Sequence, residues 1–184
     1  MDAELELKLR ELIAKQEITE LVYQRARVLD RHEPTQLDSF TEDATTTHEG
    51  WHGTMKEFLA TRSGTAPGRA KGQIMDHFIT NVLVYLDDDS HARVHSYHLC
   101  THTTPAEIEP QFDRIVVGRY FDWVVRTSDG WKIKHRDAVF DWSISIPAGE
   151  RMWARHIGSE HMLVGANDRS DPFFTRFETG RERK

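Results

Sequence analysis

At 184 residues, 38% hydrophobic and 29% charged, the chain can bury one real core and has little room for a second domain. A net charge of −6, a pI near 6.0 and 24 Lys and Arg dispersed along the sequence leave no basic footprint for nucleic acid. No apolar run approaches the roughly 20 residues that span a bilayer, and the acidic start Met1-Asp2-Ala3-Glu4-Leu5-Glu6 is unlike a secretory leader, so a cytoplasmic protein without membrane contact is expected.

From Ala3 to about Asp30, the residues Leu5, Leu9, Leu12, Ile13, Leu21, Val22 and Leu29 recur mostly at helical intervals with no Pro or Gly, which predicts one long helix or two with a bend near Lys15. Pro34 suits the first turn of a second, short helix with Leu37 and Phe40 on its apolar face. Threonine-rich Ala44 to His48 reads as an edge strand and Thr54 to Arg62 as another short helix. Ser63 to Gly72, with three glycines and a proline, reads as a loop that could serve as a lid. Four long β runs follow: Ile74 to Leu86, Ala92 to Thr104, Phe112 to Thr127 and Trp131 to Ser143. The last two are joined through Asp129-Gly130, a strong hairpin signal because glycine accepts the positive φ such a turn demands. Helices first and antiparallel sheet after define an α+β domain over residues 1–143. Residues 144–184 contain Met152, Trp153, Phe173, Phe174 and Phe177 and are too apolar to float, so this extension is expected to pack on the domain or on a neighbouring subunit.

Side chains alternate along a strand, so Val94, Ser96, His98, Cys100 and His102 share one face, and Gly118, Tyr120, Asp122, Val124 and Arg126 share a face of the next strand. Two histidines, a serine and a thiol are unusual on a face that must bury against helices. A sheet curled around a polar-lined pocket accounts for them, and a solvated face is the plainer alternative. Asp30 closes a helix, where its carboxylate meets the unfavourable end of the dipole and needs compensation. His77 opens a strand after Asp76. If Asp30 and His77 meet, the carboxylate would fix the imidazole tautomer and make a general base; apart, both are ordinary structural residues.

Eleven histidines raise the question of metal, but alternation separates His95 from His98 and His102, and no helical His-Glu-x-x-His occurs. With one cysteine, Cys100, neither a disulfide framework nor a cysteine zinc cluster can form, and that residue reads as a small buried hydrophobe. Dinucleotide, phosphate-loop and serine-nucleophile motifs are missing as well. No metal and no cofactor are expected.

The segments Ile18 to Asp30, Phe40-Thr41-Glu42-Asp43-Ala44, His77 with Asn81-Val82, Ser96-Tyr97, Gly118-Arg119-Tyr120 and Asp129-Gly130-Trp131-Lys132-Ile133 together resemble the SnoaL-like branch of the NTF2-like superfamily, over residues 10 to 143. The resemblance implies N-terminal helices packed into a strongly curved antiparallel sheet, a cone-shaped α+β barrel around a pocket. In layout the chain is similar to scytalone dehydratases, bile-acid 7α-dehydratases, lindane dehydrochlorinases and related aromatic lyases. That similarity implies an Asp30–His77 pair that removes a proton without cofactor. His102 is the nearest match for a further pocket histidine, His98 a same-face substitute, and Arg126 matches an arginine near the hairpin. The tyrosine expected before the Asp is replaced by Leu29, leaving Tyr23 one helical heptad earlier. Phe78, Tyr120 and Trp142 are expected as walls. The implied reaction is a dehydration or related elimination, with C–C cleavage and loss of a carbonyl fragment included, on a hydroxylated aromatic or polycyclic small molecule. The implied assembly is a homo-oligomer, a trimer before a dimer. Other readings on the same scaffold are a non-catalytic small subunit of a ring-hydroxylating dioxygenase, a ligand-binding module, and an isomerase or epoxide hydrolase.

Overall fold

The computed structural model describes residues 2–33, 35–62, 74–104, 110–148, 163, 165–166 and 169–177. The expected lid at 63–72 and the proline at position 34 lie outside these. Helix α1 runs unbroken over Ala3–Asp30, 28 residues. Asp2 caps it by accepting the Glu4 N–H at 3.1 Å, and Glu4–Lys8 and Glu6–Arg10 pairs brace its exposed first turns. Its buried residues begin at Ala14 and continue through Ile18, Val22, Arg25 and Val28 to Asp30.

Strand β1 spans Phe40–His48, β2 Trp51–Thr54, helix α2 Met55–Arg62, β3 Met75–Leu86, β4 His91–Thr103, β5 Phe112–Thr127 and β6 Gly130–Pro147. They form one sheet in the order β2-β1-β6-β5-β4-β3. Every pairing is antiparallel except β1 with β6. Two expectations are corrected. Residues 35–39 make a turn that leads straight into β1, so no second helix forms there. β1 is an inner strand and the short β2, too brief to show a pattern, holds the edge.

Between β5 and β6 the turn residues are Ser128 and Asp129, and Gly130, paired with Thr127, opens β6 at φ 99°, a backbone conformation that favours glycine. β3 is interrupted near Asn81 (φ 51°), where its register against β4 shifts between Thr80 and Leu83. β6 carries two shifts against β5, opposite Trp123/Val124 and Val117/Gly118. Such bulges bend strands, and here they curl a six-stranded, unclosed sheet around α1.

The main core fills one end of this cone, with Ile18 and Val22 of α1 against Phe40, Ala44, Met55, Phe58, Val94, Val124, Trp131 and Ile133. A second, smaller cluster of Met75, Cys100 and Val116 with Leu29 lies at the other end. Among the described residues no helix is long and apolar enough to cross a membrane.

Candidate active site

α1 stops in a way that fixes its last side chain. The His32 N–H donates to the Leu29 carbonyl and the Glu33 N–H to the Val28 carbonyl, with His32 at φ 49°, the bonding of a Schellman motif. Asp30 is thereby held in the final turn, facing the start of β3. Its Oδ2 accepts the backbone N–H of His77 at 2.8 Å, and its Oδ1 lies 2.5 Å from His77 Nδ1. Both side chains are 8% exposed. These two donors supply the compensation that a carboxylate at a helix C-terminus requires. An ionised carboxylate only accepts, which assigns the proton to Nδ1 and leaves Nε2 on the far side of the ring as the basic nitrogen.

The sheet register builds the surroundings. His77 pairs with Cys100, Cys100 with Val116, and two residues along β4 His98 pairs with Gly118 and Gly118 with Phe140. His98 is buried and stacked on Tyr120 with centroids 4.3 Å apart, and the Phe140 ring stands edge-on to it at 6.0 Å. A Cβ on Gly118 would collide with the Val139 carbonyl and come within 2.6 Å of His98 Nε2, so glycine is what gives the imidazole its place. Among the described residues no side chain hydrogen-bonds either ring nitrogen of His98, and the polar group beside the ring is the Val139 backbone. Burial, with the charges of His77 and Arg136 beside it, holds the His98 pKa down at about 4, so the ring is neutral at pH 7. Burial likewise raises the Tyr120 phenol and the Cys100 thiol, keeping both protonated. Behind Tyr120, Arg136 lies 4.2 Å over its ring and donates from Nε and Nη2 to Asp122 at 2.6 and 2.7 Å. His102 Nε2 is 3.2 Å from Cys100 Sγ, on the face that carries His98.

Asp30, His77, His98, His102 and Tyr120 thus gather at one end of the cone. Four other expected residues do not. Phe78 is 56% exposed because it follows His77 in the strand and must point to the opposite face. Trp142 is 55% exposed: the bulge that sets Phe140 opposite Gly118 and Trp142 opposite Val117 turns Trp142 outward. Arg126 packs on Trp131 at the hairpin, ten residues and roughly 30 Å along β5 from Val116. Tyr23 is 47% exposed and lies two turns, about 10 Å, back along α1 from Asp30. Conversely, Phe140 and His48, whose rings meet at 5.3 Å, enter the site without any sequence signal, because only the sheet order brings β1 beside β6. Among the described residues no three His, Cys, Asp or Glu side chains come together as a metal-ligand set.

A cone-shaped sheet wrapped on a long helix, with its polar residues at one end, defines the NTF2-like class. Within that class the SnoaL-like domain family matches residues 10–137, and the chain belongs to it. Solved structures agree on the fold. A candidate scytalone dehydratase of Novosphingobium aromaticivorans DSM 12444 is 21% identical over 78% of this chain and 93% of its own, with a TM-score of 0.63. The hexachlorocyclohexane dehydrochlorinase LinA-type3 of Novosphingobium barchaimii LL02 is 16% identical over 79% and 98%, with a TM-score of 0.66. The Kfla4162 protein of Kribbella flavida is 25% identical over 73% and 95%, with a TM-score of 0.62. No curated protein matches the chain in sequence.

Proposed function

We propose that this protein is a lyase that removes a proton from a hydroxylated aromatic or polycyclic small molecule and expels water, halide or a carbonyl fragment, by acid–base chemistry of its own side chains. The observation that carries this reading is the double grip of Asp30 on His77, which leaves a basic Nε2 in a site with little solvent. In a dehydration or dehydrohalogenation, Nε2 takes the proton, the C–H electrons become the new double bond, and the leaving group departs with its own bonding pair. Asp30 stabilises the imidazolium so formed. His102 and the Tyr120 phenol are the donors nearest at hand to assist departure, and neutral His98 can accept a substrate hydroxyl. This chemistry calls for no metal and no organic cofactor. Family membership and the dehydratase and dehydrochlorinase among the solved neighbours support the class of reaction.

Self-association belongs to the same proposal. Phe78, Tyr97, Leu99, Trp142, Ile144 and Ile146 are all exposed on the outer side of the sheet, an apolar surface suited to a homo-oligomer, a trimer before a dimer. The test of function is an ultraviolet absorbance screen of hydroxylated aromatic, steroid and halogenated compounds, since elimination creates conjugation. Turnover that vanishes in His77→Ala is the expected result. Turnover indifferent to that substitution, or none with any compound class, returns the protein to the binding-module reading.

A further inference from the structure

Beside the Asp30–His77 pair runs a second one. Arg31, the next residue at the helix end, donates from Nη1 to Oδ1 of Asp76, the residue before His77, at 3.3 Å. The two short stretches therefore meet in antiparallel order, acid to base at both positions. From the same guanidinium, Nε stands 3.6 Å from Oδ2 of Asp171. Asp171 is buried and gathers the C-terminal chain around itself: Oδ2 accepts the Ala166 N–H and Oδ1 the Phe173 N–H, both at 2.8 Å. One turn back along α1, Arg27 lies over the Phe173 ring, 4.8 Å from its centroid. The seat of this C-terminal segment is thus the last turn of α1, the turn that carries the carboxylate of the candidate base.

We propose that Arg31 is a positioning residue that couples the seating of the segment around Asp171 to the geometry of Asp30 and His77, a role that rests on the lyase reading above. When the segment is seated, Asp171 restrains the guanidinium, the guanidinium restrains Asp76, and the two chain stretches bearing the pair are held in register. When it lifts, Arg31 loses the Asp171 carboxylate and can swing toward water, so its hold on Asp76 weakens and the pair leans more on its own hydrogen bonds.

The experiment uses full-length Arg31→Gln, Asp171→Asn and, as the conservative variant, Arg31→Lys. Hydrogen exchange at the Ala166 and Phe173 amides reports the segment, and the downfield proton resonance of His77 Nδ1–H reports the pair. Arg31→Gln and Asp171→Asn are each expected to speed exchange by about tenfold and to broaden or move the Nδ1–H resonance, with Arg31→Lys restoring part of both. A resonance unchanged in both variants, or exchange unchanged in both, overturns the proposal. Asp171→Asn carries the test if Arg31→Gln does not fold. Neither readout needs turnover, so coupling without any His77-dependent reaction would sink the lyase reading alone. Turnover without coupling would sink the positioning role alone.

Discussion

Asp30 holds His77 at two points, one oxygen on the backbone N–H and the other on Nδ1, so the imidazole cannot turn without disturbing the bond that also fixes the start of β3. His77→Ala should therefore fold and lose roughly 10²–10⁴-fold in kcat, the usual worth of a general base. Asp30→Asn should lose a similar factor, since the amide cannot stabilise imidazolium, and the double variant should be no worse than the worse single one. Steady-state kinetics on a substrate from the absorbance screen decides this. Two independent twofold losses would make both residues structural.

His98 ties stability to acid. Its pKa lies at about 4 in the fold and near 6.5 in an open chain, so between those values the unfolded state binds the extra proton and unfolding is favoured. Stability should be full above about pH 6.5, fall as pH drops toward 4, and level off below, by at most about 3 kcal/mol. Urea titrations at pH 7 and pH 5 measure the slope, and His98→Phe should flatten it.

The Asp122–Arg136 pair is buried and bidentate, which makes half of it worse than none. Asp122→Asn should cost about 3–5 kcal/mol in denaturant unfolding, whereas Asp122→Leu with Arg136→Met should recover much of that loss. A single variant within 1 kcal/mol of the parent, on the scale of an exposed pair, contradicts the account.

Gly118→Ala should destabilise by about 1–3 kcal/mol or more, because its methyl meets the Val139 carbonyl and His98 Nε2 with nothing able to yield on the backbone side. Thermal unfolding checks it, and an unchanged midpoint would mean that β6 shifts to make room.

The proposed homo-oligomer should come apart when charge is placed on the convex face. Trp142→Glu with Phe78→Glu is expected to lower the sedimentation mass toward that of one chain while leaving circular dichroism intact. An unchanged mass would place the interface elsewhere.

The long helix and the four β runs were legible because 28 residues without Gly or Pro and strands of 12 or more residues give strong periodic signals. Alternation likewise placed His98, Cys100 and His102 on one face. The same rule, applied to His77, turns Phe78 away, so that miss was avoidable. Trp142 was not recoverable, since the bulge beside Asp141 reverses the facing of every residue after it. Arg126 has the right parity at the wrong distance, a matter of how far along a 16-residue strand the site lies. Arg31 and Asp171 stand 140 residues apart and only the folded chain joins them.

Cys100 is the chain's one thiol, placed directly across β3–β4 from His77, buried and held protonated by its surroundings. An alkylating reagent added to the native protein can react only during excursions that bring solvent to that depth. The labelling rate is consequently a clock for the breathing of the cone, read from a single atom with no engineered probe, and any molecule that occupies the site should slow it.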